Sequence, residues 1–107
     1  MYKISFYVPE AALEHVKQAM FDAGAGRIGN YDSCAWQTLG EGQFRPLQGS
    51  NPALGEVGSV ENLLEFKVEM VCADDKLKAA IGALCAAHPY EEPAYQYWKV
   101  NQAMPNN

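Results

Sequence analysis

Three features of the 107-residue sequence predict a single α+β domain. Segments with two-residue alternation open the chain, recur in its middle and close it. Two segments with helical spacing fall between them. Gly, Pro and Asp punctuate the joins. The order strand, helix, strand, strand, helix, strand folds most simply as two βαβ units. The product is a four-stranded antiparallel sheet with both helices on one face, the ferredoxin-like βαββαβ sandwich. The domain is expected over residues 1–101, with a disordered tail at 102–107.

Tyr2 to Val8 places Ile4, Phe6 and Val8 on one side and Lys3, Ser5 and Tyr7 on the other. That pattern is a strand with one buried face. Pro9-Glu10 opens a helix, because proline lacks only an N–H that the first turn leaves unpaired anyway. Leu13, Val16 and Met20 form its apolar stripe, and Gly24 supplies the stop. Gly24-Ala25-Gly26-Arg27-Ile28-Gly29 matches G-x-G-x-x-G, but a helix precedes it and a strand follows. The dinucleotide fingerprint needs the reverse order, so the segment reads as a flexible turn.

Tyr31 to Leu39 reads as a second strand. Residues 40–58 then hold Gly40, Gly42, Gly49, Gly55 and Gly58 with Pro46 and Pro52, and read as one long loop. A connection of that length is a ligand-responsive loop, a hairpin extension or an oligomer contact. Val60 to Cys72 is the clearest strand, with Leu64, Phe66, Val68 and Met70 facing one way. Asp74 is the expected N-cap of a helix carrying Leu77, Ala80, Ile81 and Leu84. Pro89 forces His88 out of that helix, and Tyr95 to Val100 makes the last strand.

A formal net charge of −5, with basic residues scattered singly, excludes the usual electrostatic footprint for nucleic acid or an anionic membrane. Cys34, Cys72 and Cys85 form no C-x-x-C spacing and read as reduced thiols. A cytoplasmic protein is expected. The second sheet face has no helix to cover it and carries Tyr7, Leu63 and Trp98, so a homo-oligomer is expected.

His88-Pro89-Tyr90-Glu91-Glu92-Pro93-Ala94-Tyr95 concentrates the chemistry of the chain. Two prolines stiffen the backbone and present an imidazole, two carboxylates and two phenols. One reading is a turn in which His88 caps the helix end and a glutamate accepts backbone hydrogen bonds. A second uses His88, Glu91 and Glu92 as ligands of a divalent cation, completed from elsewhere. A third is acid–base chemistry, although no H-E-x-x-H, nucleophile elbow or P-loop accompanies it.

Three motifs resemble those of one family. They are Gly26-Arg27-Ile28-Gly29-Asn30-Tyr31-Asp32-Ser33-Cys34, the series Gly40, Gly42, Phe44, Pro46, Gly49, Pro52 and Gly55, and the His88–Tyr95 segment. They are similar to those of the NGG1p-interacting-factor-three-like, or GTP cyclohydrolase I type 2-like, proteins. The resemblance runs from Tyr2 to about Val100. It is to a domain inserted in longer members and also found alone. It implies a fold similar to PII and CutA proteins and a trimer. In longer members the dinuclear metal site lies in two flanking domains that have no counterpart here, so neither the metal nor the cyclohydrolase activity carries over.

The expected function is therefore a non-catalytic regulatory or binding module. Its subunit clefts would bind a small ligand, a metal ion or a protein partner. The candidate ligand-binding residues are His88, Tyr90, Glu91, Glu92, Tyr31, Cys34 and Phe44. No cofactor is identified beyond a divalent metal on His88, Glu91 and Glu92. The competing expectations are a metal-assisted hydrolase using His88 with Glu91 or Glu92, and a purely structural interaction domain.

Overall fold

The structure, a computed structural model, describes residues 1–102. It contains β1 (Tyr2–Val8), α1 (Glu10–Asp22), β2 (Trp36–Phe44), β3 (Glu61–Cys72), a 3-10 turn at Asp74–Lys76, α2 (Leu77–Ala87) and β4 (Tyr95–Lys99). The four strands form one antiparallel sheet in the order β2-β3-β1-β4. This is the ferredoxin-like α+β architecture that the periodicity predicts. All but the first residue of the expected tail at 102–107 lies outside the described residues.

The core follows from the register. Phe6 lies opposite Val68 on β3 and Tyr95 on β4, and Ile4 lies opposite Met70 and Tyr97. Ile4, Phe6, Val8, Val68 and Met70 therefore project from one face, where they meet Leu13, Val16 and Met20 of α1 and Ala80 and Leu84 of α2. Ile4, Phe6, Val16, Met20 and Leu84 are fully buried. Each large side chain so removed from water contributes roughly 1.5–3 kcal/mol. The opposite face presents Lys3, Ser5, Tyr7, Lys67, Glu69 and Trp98, with no helix over it.

The structure corrects the local expectations at several points. The second strand runs from Trp36 to Phe44, not from Tyr31 to Leu39. Residues 27–35 form a turn instead, because Gly26, Gly29 and Ser33 all have positive φ, which breaks an extended run. That turn is pinned rather than loose. Gly26 N–H donates to Val71 O at 2.8 Å and Cys34 N–H to Gly26 O at 2.9 Å. Gly40 and Gly42, expected in the long loop, lie within β2 opposite Glu65 and Leu63, so the irregular connection is 45–60. The twelve residues of β3 supply a ladder long enough to hold two glycines in the extended state.

The β2–β3 ribbon runs past the end of the helices, which gives the molecule its 57 × 23 × 22 Å extents. Leu39 and Leu64, on the helix-side face, are 53% and 62% exposed there because neither helix reaches them. The buried stripe of β3 is accordingly Val68, Met70 and Cys72, shorter than the alternation implies. Asp74 is not a helix cap. Its carboxylate pairs with the Met1 amino group and Lys99 Nζ, and the 3-10 turn leads into α2. No helix among the described residues is long and apolar enough to cross a membrane.

Candidate functional site

The chain leaves α2 where Pro89 requires it to. His88 is extended, with φ −70° and ψ 138°, and its N–H still donates to Leu84 O at 2.9 Å. This turns the ring inward beneath the sheet. His88 Nε2 lies 2.7 Å from Tyr7 O, and Nδ1 accepts from Tyr90 N–H at 3.1 Å. The second bond assigns the tautomer, because Nδ1 must be unprotonated to accept. Nε2–H is then the donor to the carbonyl of Tyr7. Burial pulls the His88 pKa below its ordinary 6.5, against the opposing pull of the Tyr7 hydrogen bond and Glu65. His88 is thus a neutral clasp joining the end of α2 to β1.

The clasp sets Tyr90. Its ring meets His88 edge-on at 4.9 Å and Phe44 at 6.1 Å, and its hydroxyl donates to Glu65 Oε2 at 3.0 Å. Burial first, then the Glu65 carboxylate, keeps the phenol protonated well above its usual range. Glu65 can reach Tyr90 because β2 carries no side chain at Gly42. A Cβ there would stand 1.8 Å from Glu65 Oε1. Across the gap, Glu91 Oε1 accepts from Asn51 N–H at 3.0 Å and ties the long connection to the turn.

These elements enclose a cleft of about 380 Å³. Its walls are Tyr7, Phe44, Pro46, Pro52, Leu54 and Tyr90, and three carboxylates, Glu65, Glu91 and Glu92, line it. Of the candidate residues, Phe44, Tyr90, Glu91 and Glu92 come together here. His88 stands behind the cleft and supports it. Tyr31, 74% exposed, and Cys34 lie in the 27–35 turn and do not line it. His88, Glu91 and Glu92 are not brought together as a ligand set, since both ring nitrogens of His88 are engaged. Among the described residues no three His, Cys, Asp or Glu side chains gather as a metal-binding group.

Sequence reasoning missed Glu65, Gly42 and Tyr7. Glu65 looks there like any solvent-facing residue of an alternating strand. A Gly42→Ala variant tests its role. The added methyl displaces the Glu65 carboxylate, which loses its bond to Tyr90 at a cost of about 1 kcal/mol. A spectrophotometric titration should then show one tyrosine ionising at lower pH than in the parent.

The antiparallel sheet in this strand order, with two helices on one face, places the chain among the CutA and PII-like folds. CutA from Xylella fastidiosa superimposes with a TM-score of 0.70 over 97% of this chain and 86% of that one, at 22% identity, which shows the shared fold alone. A solved Bacillus cereus protein related to NIF3 gives a TM-score of 0.81 at 35% identity, covering 94% of this chain and 26% of that one. A Mycobacterium tuberculosis protein named GTP cyclohydrolase 1 type 2 homolog is 47% identical over 89 residues, 83% of this chain and 24% of its own. No protein-family model matches the chain. The chain is thus homologous to one segment of the GTP cyclohydrolase 1 type 2 homologues of the NIF3 family. It spans about a quarter of the length of the curated relatives it matches.

Proposed function

We propose that this chain is a non-catalytic binding module that assembles as a homo-oligomer, a trimer, and takes a small ligand in the cleft between residues 45–60 and 88–95. The observation that carries the reading is the cleft itself. Its volume of about 380 Å³ falls in the range of small-molecule sites, and its walls are mostly apolar with a few convergent polar groups. The Glu91–Asn51 bond makes the long connection part of the wall, so occupancy and loop position are coupled.

The imidazole that acid–base chemistry would use is committed on both nitrogens to holding Tyr7 and Tyr90. The cyclohydrolase in the relatives' name is therefore not proposed for this chain. A cytoplasmic location suits three free thiols. Fragment screening by protein-observed NMR tests the binding reading. Small ligands should move the amides of Phe44, Asn51 and Tyr90 together, and a library that moves none of them overturns it.

The oligomer rests on the face opposite the helices. Trp36 and Trp98 are 68% and 44% exposed there, and Tyr7, Leu63 and Val71 project from the same face among Lys3, Lys67 and Glu69. Two exposed indoles on one sheet face are a contact that a second copy of the chain would cover. Light scattering at micromolar concentration should give a trimer mass. A Trp98→Glu variant should give the mass of one chain, because a carboxylate at a buried contact loses its hydration. A parent protein already monomeric at that concentration overturns the assembly.

A further inference from the structure

The cleft has a charge character that nothing in its apolar framing requires. Glu65, Glu91 and Glu92 line it, and no Lys, Arg or His does. Glu65 holds Tyr90 through Oε2 and Glu91 holds Asn51 through Oε1, which leaves the second oxygen of each free to accept. Among the described residues none of the three pairs with a basic side chain. Beside them the rings of Phe44 and Tyr90 stand 6.1 Å apart at 50°, two π faces at the edge of one cavity.

Such a cavity selects by sign. A phosphate brought into it meets three carboxylates, with no basic side chain among the lining residues to offset them. A positive group gains those carboxylates as acceptors and the aromatic faces as cation–π partners. We propose that the cleft takes an organic cation, an ammonium or guanidinium group on an apolar body, and that it rejects nucleotides. This rests on the cleft being a ligand site and adds the chemical class of the ligand. The cationic head lies against the carboxylates that line the cleft, and the apolar body lies against Phe44, Pro52 and Leu54. The volume, about 380 Å³, admits a ring with a short amine chain.

Phenethylamine, its neutral counterpart 2-phenylethanol, and GTP separate the alternatives. Isothermal titration and amide-shift mapping of the full chain at low and at physiological salt supply the readout. Phenethylamine should bind with shifts at Asn51 and Tyr90, at least about tenfold more tightly than 2-phenylethanol, and GTP should not bind. Its affinity should fall as salt rises. Glu92→Gln, on an exposed turn, and Glu65→Gln, which can still accept from Tyr90, should each weaken phenethylamine about five- to tenfold with thermal stability kept. If 2-phenylethanol binds as tightly, or GTP enters the same cleft, the cation proposal is wrong and the cleft remains a ligand site. If all three compounds leave the Phe44, Asn51 and Tyr90 amides unmoved, the cation proposal fails, and an equally silent fragment library removes the binding reading as well.

Discussion

Replacing His88 by alanine should lower the unfolding free energy by about 2–4 kcal/mol, the sum of a lost buried ring and two orphaned backbone groups. The Tyr7 carbonyl and the Tyr90 N–H both lose their partner. For a domain of this size that is a fall in Tm of about 10–25 °C. The same residue sets the pH dependence. Its folded pKa lies below the ordinary 6.5 because burial disfavours the imidazolium. Between the two pKa values the unfolded chain binds more protons than the folded one, so stability rises with pH there. The His88 contribution is complete above about pH 6.5 and is lost as pH falls through the lower folded value. Protonation of Nδ1 would also turn the acceptor for Tyr90 N–H into a donor. Thermal melts from pH 8 to pH 5 should show this acid loss in the parent and its reduction in His88→Gln. Parallel curves for the two proteins would remove His88 as the titrating group.

Phe6→Ala should be costlier still, about 3–5 kcal/mol, taken from a total that for single domains is about 5–15 kcal/mol. Phe6 sits on the central strand, completely buried, opposite Val68 and Tyr95 and under both helices. The cavity left by its ring is walled by three strands and cannot collapse without moving the sheet. Urea denaturation should show a lower midpoint with an unchanged slope, the signature of lost stability without a changed unfolded state. Phe6→Leu, which refills most of the volume, should recover the larger part of the loss.

Elements whose state depends on their own side chains were readable from the chain. β1 and β3 alternate, α1 places Leu13, Val16 and Met20 on one stripe, and Pro89 ends α2 by its own geometry. β2 is not legible in the chain for the converse reason. Trp36 to Phe44 exposes nearly all its residues and carries two glycines, so burial leaves no period in it. Its extended state comes from the ladder to β3, a partner distant in sequence. Asp74 is a similar case. A good cap by type, it goes instead to Met1 and Lys99, which only the folded sheet brings near.

The candidate site divides in the same way. The amino-acid order alone determined that Tyr90, Glu91 and Glu92 would be presented from a rigid turn, because two prolines restrict the backbone whatever surrounds them. Only the tertiary structure decided that His88 faces inward as a clasp and that Glu65 crosses Gly42 to reach Tyr90. Only it decided, too, that Tyr31 and Cys34 stand away from the cleft. Local geometry is set by bonds between neighbours. The direction a side chain takes, and the partner it finds, is set by segments that pair across the sheet, and no spacing along the chain records them.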